Sequence, residues 1–420
     1  MHQDKPIVIA GAGIIGLFSA YFLNKSGHEV LIIDKDPGED GCSFGNAGMV
    51  VPSHFIPLAA PGMIEKGLKW MFDSESPFYV KPRFSLDLLR WGVNFYQAAN
   101  KAKVDKAVPA LRDLGLLSKK LYQDFSKEAG FNFFFEEKGL LMLCKTGHTL
   151  EEESEVAHLA NKIGIKADIL SKEEVSKLEP ELKPDVEGGI LFPGDAHLYP
   201  NELIKNLKKH LAEQGVKFIY NAEITGFKKN GQSVEAVKIS TPEEKTIACS
   251  KLVIATGSWS QNLGKLLNIN LPIQAGKGYS ITKKQAEGKN LKTPSILVEA
   301  RVAITPMADD LIRFGGTMEI GGINDNINMN RVNGIIKAVP EYFPSYPIQT
   351  PPKEQIWYGL RPCSPDGLPY IGKAAENLYI ASGHAMMGLS LAPGTGKLMQ
   401  EIIEGKKPSV DISLYEPGRF

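Results

Sequence analysis

An α/β fold, in which an open parallel sheet has a second, mixed domain threaded through it, follows from three observations. A glycine-rich turn joins an apolar strand to an apolar helix at residues 7–23. Similar strand and turn pieces recur near residues 251–257 and 378–394. The intervening segments have a different character, helical first and strand-rich later.

The first piece reads Ile7-Val-Ile-Ala-Gly-Ala-Gly-Ile-Ile-Gly16, followed by an apolar helix over Ile14–Leu23. Gly11 permits the tight turn, Gly13 lets the backbone approach a pyrophosphate, and Gly16 lets the helix pack close on the strand. The helix N-terminus faces the negative charge. Glu29–Asp34 is a second strand ending in a carboxylate. That carboxylate is placed to accept a hydrogen bond from a ribose 2′-OH. This context specifies a Rossmann-type dinucleotide site and leaves NAD and FAD both open.

After Asp34, small residues at Ser43, Gly45, Asn46, Ala47 and Gly48 suit a backbone lying against something flat or charged. Helices are expected over Met63–Phe72, Leu86–Ala99 and Val108–Ala129, from their apolar spacing. Phe133–Cys144 reads as a strand pair and Glu151–Ile163 as a charged helix. Pro200 opens a helix over Glu202–Gln214, which Gly215 stops. Strands are expected at Val216–Tyr220, Val234–Ser240 and Lys251–Gly257. More follow at Tyr279–Thr282, Ile296–Pro306 and Leu311–Glu319, then a helical stretch over Ile323–Val339. Gly359–Gly372 reads as a turn-rich loop. Leu378–Ala381 is the last strand, and Gly394–Glu404 the last helix.

At 420 residues the chain exceeds one ordinary core. The expected division is a discontinuous nucleotide-binding domain, 1–60 with 195–270 and 358–420. A second domain comprises 61–194 and 271–357, with a helical insert near 62–130. Lys+Arg and Asp+Glu both total 48, which argues against nucleic acid as a partner. Cys42, Cys144, Cys249 and Cys363 have neither disulfide-framework nor zinc spacing, and no metal is expected. They fit a reducing cytoplasm. The apolar run Pro6–Leu23 lacks a basic flank and a cleavage site, so no signal peptide or membrane span is expected.

Several separated segments carry a resemblance. They are the first turn, Ala255-Thr-Gly-Ser-Trp259, Gly359-Leu-Arg-Pro with Pro365-Asp-Gly367, and Gly383-His with Gly388-Leu-Ser-Leu-Ala-Pro393. In these the chain resembles the FAD-dependent superfamily of D-amino-acid, glycine and sarcosine oxidases. Ser43-Phe-Gly-Asn-Ala-Gly48, Ala59-Ala-Pro-Gly62, Lys69-Trp70 and Lys277-Gly-Tyr-Ser280 are most similar to the D-amino acid dehydrogenase small subunits.

The resemblance implies an α/β (α+β overall) protein. A Rossmann-type FAD-binding domain would hold an inserted substrate domain built on a mixed β-sheet with helices. It implies non-covalent FAD, with the ADP held by Gly11, Gly13, Ile14, Ile15 and Gly16 and by Asp34, Lys35 and Ile224. It puts Ser43, Asn46, Ala47 and Gly48 at the flavin ring. Gly388, Leu389 and Ser390 would lie at the ring's pyrimidine end, where a helix N-terminus stabilises negative charge. Ala255, Gly257, Trp259 and Gly383 complete the expected cofactor set.

The implied reaction moves a hydride from Cα of a D-amino or imino acid to the flavin, with the imino product hydrolysed to a keto acid and ammonia. Arg361 is the expected carboxylate clamp, since its planar fork matches a carboxylate bidentately. Tyr279 is a second carboxylate ligand or pocket wall. His54, after the flavin loop, is a third candidate, and His384 lies beside the last loop. Met386 and Met387 suit an apolar side chain. Electrons would pass to a quinone or another acceptor.

Three other readings remain open: an oxidase that uses O₂, a non-catalytic nucleotide-binding subunit, and an NAD-dependent dehydrogenase. The resemblance also suggests peripheral contact with the inner membrane through Trp70, Met71, Phe72, Trp91 and Phe95.

Overall fold

Alternation along two short strands decides how the first sheet is covered. In the computed structural model, which describes all residues except 1–4, 39–40, 64, 66, 68–74 and 129, Ile7–Ala10 and Val30–Ile33 are buried throughout. Ile7, Ile9, Val30 and Ile32 pack with Leu17, Phe18, Leu203 and Leu398 from helices on one face. Val8, Ala10, Leu31 and Ile33 pack with Val237, Ile239 and Leu263 on the other. Burial on both faces is what a parallel sheet requires.

This sheet has six strands. Their order is Tyr370–Ala375, Leu378–Ser382, Lys251–Ile254, Ile7–Ala10, Val30–Ile33 and Lys217–Ile219. Neighbours pair in parallel except the first two. Helices Ile14–Lys25, Lys101–Phe125, Pro200–Glu213 and Ala392–Ile403 cover one face, and the antiparallel sheet Glu223–Asn230, Ser233–Ser240 and Glu244–Ala248 covers the other.

A nine-stranded mixed sheet forms the second layer system, with Gln274–Lys284 and Leu311–Ile320 as its longest strands. Helix Met329–Tyr342 covers one of its faces through Val332, Ile335 and Val339 against Tyr279, Ile281 and Phe314.

Several expectations change. Of residues 359–372 only 364–369 form a turn, because Tyr370 begins one strand and Trp357–Cys363 is another, paired antiparallel with Gln274–Lys284, Gly276 opposite Arg361. Its proline and glycine mislead in sequence. It is an edge strand, and an edge tolerates Pro362. Arg361 therefore sits in the large sheet, not in the dinucleotide sheet to which a boundary at 358 would assign it. Of the expected pair in 133–144, only Leu140–Cys144 is a strand, with Glu136 bridging His197. The helix expected from Ile323 starts at Met329, capped by the Asn328 side chain. That expected from Val108 starts at Lys101, capped by Asn100. Strands Asp168–Ser171, Glu223–Asn230 and Glu244–Ala248 and helix Ser260–Leu267 were not anticipated. The expected helix over 63–72 falls mostly on residues outside those described, and the helix expected to run to Ala129 ends at Phe125, with Ser126 as its C-cap.

Helix Ile14–Lys25 packs so closely that a Cβ on Gly16 would lie 2.0 Å from the Gly11 carbonyl oxygen. Gly92, inside helix Leu86–Ala98, has nothing within 4 Å of such a position. Gly16→Ala is therefore expected to destabilise by roughly 1–3 kcal/mol. Gly92→Ala should stabilise by about 0.5–1 kcal/mol. Urea unfolding of both variants checks the contrast, and equal effects would refute the packing argument.

Candidate active site

A cavity of about 770 Å³ runs between the two sheets, from the first glycine turn to Arg361. At one end, Gly11 has φ +106°, and a Cβ there would lie 2.5 Å from the Ala255 carbonyl oxygen. Only glycine meets both constraints. Asp34 Oδ2 accepts from Ala12 N–H at 2.5 Å, and Oδ1 accepts from Asp36 N–H at 2.9 Å. A carboxylate has lone pairs left after two such bonds, so Asp34 can still take a hydroxyl. Ile14 N–H donates to Ser43 Oγ at 3.3 Å, tying the turn to the next loop. Lys35 Nζ lies 4.4 Å from the centre of the Trp259 ring. Ile15, Ile224, Ala255 and Gly257 also line this end.

The loop carrying Ser43, Asn46 and Ala47 forms the middle of the cavity wall. It is held from behind by Arg313, which is buried. Arg313 Nη1 donates to the carbonyls of Phe44 (2.9 Å) and Asn46 (2.7 Å), Nη2 to Asn201 Oδ1 (3.0 Å), and Nε to Thr282 Oγ1 (2.8 Å). Ser280 Oγ donates to the Gly45 carbonyl at 2.8 Å. Asn46 turns back on the loop, accepting from Gly48 N–H at 2.9 Å. Opposite, Leu389 and Ser390 precede helix Ala392–Ile403. Tyr122 OH donates to the Leu389 carbonyl at 2.8 Å, and Ser390 Oγ accepts from Val51 N–H at 2.9 Å. The loop's position at this N-terminus favours negative charge there.

Gly16, Gly48 and Gly383 do not line the cavity. They allow close packing instead. Cβ atoms on Gly48 (φ +76°) and Gly383 (φ +81°) would lie 2.2 Å from the Leu198 carbonyl oxygen and 2.7 Å from the Tyr370 ring.

At the far end Arg361 lies across Gly278, where a Cβ would sit 2.1 Å from Nη1. Nη1 donates to the Thr317 carbonyl at 2.5 Å, and no carboxylate pairs with the guanidinium among the described residues. Burial lowers its pKa. A partly buried cation without a counter-charge is a receptor for an anion. Thr317 is buried beside it with φ +62°, and its Oγ1 has no hydrogen-bond partner.

Tyr279 lines the same cavity, but its hydroxyl is committed elsewhere. Its hydroxyl donates to Glu319 Oε2 at 3.2 Å and accepts from Asn328 N–H at 3.1 Å, which uses its one proton. The strand bulge between Lys277 and Tyr279 accompanies this orientation. His54 does line the cavity; burial, helped by Arg301, pushes its pKa down to about 4. His384 is also on the wall. Its Nε2 is 2.9 Å from Thr395 Oγ1, its Nδ1 is buried without a partner, and burial lowers it to about 3, so it is neutral. Leu58, Phe78, Met142, Ile296, Met318 and Met386 supply apolar surface.

Sequence reading missed Lys208, Arg301, Arg313 and Thr317. Lys208 lines the cavity near Asp34, with burial lowering its pKa. None of the four lies in a glycine motif, so only the fold could bring them to the cleft.

Comparisons with known proteins bear on the family and the fold. The family described as FAD dependent oxidoreductase (DAO) matches residues 6–402. The chain is 31% identical to a D-amino acid dehydrogenase of Granulibacter bethesdensis, covering 99% of each. It is 31% identical to one of Helicobacter pylori, covering 98% of each. Among solved structures it is similar to glycine oxidase from Geobacillus kaustophilus, with a TM-score of 0.78, 22% identity and 99% of each chain covered. L-proline dehydrogenase from P. horikoshii gives a TM-score of 0.75 at 21% identity, covering 100% of this chain and 98% of that one.

Proposed function

The chain belongs to the DAO family of FAD-dependent oxidoreductases, and we propose that it oxidises D-amino or imino acids at Cα. The carrying observation is Arg361, a partly buried cation with no counter-charge among the described residues, at the end of a dinucleotide-shaped cleft. The cleft fits the cofactor on two grounds. Gly11 leaves no room for a side chain where the backbone must approach a pyrophosphate, and the Asp34 carboxylate keeps lone pairs free at that same end. Gly11, Gly13, Asp34 and Lys35 would hold the ADP half, and the 43–47 and 388–390 loops the ring. Bound FAD supplies the hydride acceptor.

The chain's own contribution is orientation. Arg361 clamps the substrate carboxylate, and Thr317 Oγ1 offers the hydrogen bond its burial leaves unmade. Leu58, Phe78, Met318 and Met386 take an apolar or ring-shaped side chain and exclude water. The domain division at 61, 195 and 271 belongs to this reading, with the last boundary placed after the strand of Arg361, which pairs only in the large sheet, and not at 358. Electrons leave to a quinone or another acceptor, distinguished from O₂ by dye reduction without peroxide.

A peripheral membrane contact is also part of the proposal, but through different residues from those expected. Trp91 is buried, donating Nε1–H to the Cys363 carbonyl at 2.8 Å, and Phe95 stacks on it. Trp70, Met71 and Phe72 lie outside the described residues. The exposed apolar side chains are Phe84, Leu86, Leu89, Val93 and Tyr96, on or beside helix Leu86–Ala98. Spacing of three and four puts the last four on one stripe, which suits an interfacial helix. Among the described residues no helix is long and apolar enough to cross a membrane.

Anaerobic flavin bleaching should occur with apolar D-amino acids or D-proline and not with their L-forms; preference for glycine would defeat the proposed pocket. Arg361→Met should lower kcat/KM about 30-fold or more while FAD content stays unchanged. Binding to FAD at Cys363 is disfavoured, since its thiol is buried, lies off the cleft and is pushed up to about 12. Acid precipitation should therefore release all yellow colour to the supernatant. Flotation with anionic vesicles should weaken markedly in Leu86→Glu/Leu89→Glu, and unchanged flotation would exclude this face.

A further inference from the structure

We propose that Asp195, Ser53 and His54 form a proton relay that removes the ammonium proton of the bound amino acid from the cleft. The proposal rests on the functional reading above. Ser53 Oγ donates to Asp195 Oδ2 at 2.5 Å, and Ser53 N–H donates to Oδ1 at 3.2 Å. The same Oγ lies 3.2 Å from His54 Nδ1. A hydroxyl has one proton. Because that proton is given to Asp195, the contact with His54 must be donated by Nδ1–H. This fixes the tautomer and leaves Nε2 with a free lone pair. Nε2 has no partner among the described residues, and His54 lines the cleft.

The relay is held by backbone. Met49–Val50 pairs antiparallel with Ala196–His197, and these strands place Ser53 and Asp195 side by side at the same end of the ladder. Ser53 and Asp195 are both buried. Such a short two-stranded ladder is otherwise an unremarked detail of the fold, yet it seats a carboxylate behind a cavity histidine.

Hydride departure from Cα needs an amine lone pair, because the nitrogen forms the new C=N bond. An amino acid arriving as a zwitterion must first lose a proton. One ammonium N–H bond breaks and the proton joins Nε2. The Nδ1 proton moves to Ser53 Oγ, and the Ser53 proton moves to the Asp195 carboxylate. The net change is an ammonium and a carboxylate becoming an amine and a carboxylic acid, with His54 neutral before and after. The proton returns by the same path once product has left.

The surrounding charges favour that end state. Burial, then Arg301, lowers His54 to about 4, whereas burial raises Asp195 to about 7 against its bonds from Ser53 and the charge of Lys119. The proton's resting place is therefore Asp195. His197, two residues further on, is kept neutral by burial beside Glu136 and Lys138. Arg361 and His384 are the other titratable groups on this part of the wall.

The test is the pH profile of kcat/KM for flavin reduction in the holoenzyme, using its best D-amino acid. Asp195 must be ionised to accept a proton, so the wild-type rate should rise with pH through about 7. In Ser53→Ala and Asp195→Asn that limb should move up by about two pH units, into the range where the substrate ammonium ionises by itself. At the alkaline end both variants should come within about threefold of wild type. Ser53→Thr, which keeps the hydroxyl, should restore the wild-type limb. A limb that stays put, or an equal loss at every pH, overturns the relay. Ring ¹⁵N shifts of His54 in the substrate-free, oxidised wild-type holoenzyme above pH 7, where Asp195 is ionised, should show a protonated Nδ1 and a bare Nε2, and the opposite tautomer there also overturns it. If no amino acid reduces the wild-type flavin, the functional reading fails and the relay with it. Turnover with an unmoved limb defeats the relay alone.

Discussion

The cleft depends on one buried guanidinium. Arg313 rises from the large sheet and spends its N–H groups on the carbonyls of Phe44 and Asn46, an amide oxygen and a hydroxyl. No carboxylate neutralises it among the described residues, and burial lowers its pKa to about 10. Its charge is satisfied by dipoles of the loop that lines the cavity. A neutral replacement would leave those carbonyls bare, at about 1–3 kcal/mol each. The loop belongs to one layer system and the arginine to the other, so the contact sets the width of the gap between them.

Within that gap, burial sorts the ionisable groups by role. His54 and His384 are kept neutral, and Arg361 is left as a cation that no described carboxylate pairs with. A site with a positive end and neutral histidines discriminates for a carboxylate while leaving an imidazole free to act as a base. The helix N-terminus after Ser390 supplies a second positive pole without adding a side-chain charge. These poles lie at different points along the wall, which suits a ligand whose carboxylate and electron acceptor must be kept apart.

Much of this was legible in sequence because local chemistry dictated it. The first turn, the helix after it and Asp34 require particular residue types at fixed spacing, and the strands found there are the expected ones. Arg361 was legible through its motif, but its setting was not. Gly359 and Pro362 read as turn residues, and only pairing with Gln274–Lys284 makes them an edge strand. The setting of Tyr279 was hidden for a related reason. Whether its phenol faces the cleft or Glu319 depends on a bulge in the neighbouring strand, which no local pattern signals. Arg313, Thr317 and Asp195 were silent because each acts on a residue far away in the chain.

That bulge explains how the substrate end is built. Lys277 pairs with Glu319 and Tyr279 with Gly316, so Thr317 and Met318 together oppose Gly278. An extra residue in one strand re-aims its neighbours. Here it forces Thr317 to φ +62°, which for a β-branched residue costs about 1–3 kcal/mol. The strain is offset where Thr317 turns its carbonyl to Arg361 and Gly278 leaves room for the guanidinium above it. An unbulged strand would give Thr317 ordinary extended geometry and point that carbonyl along the ladder. Arg361 would then lose its one fixed acceptor and swing freely. Strain at Thr317 and the missing side chain at Gly278 are thus two halves of one device, and both exist to hold a cation still.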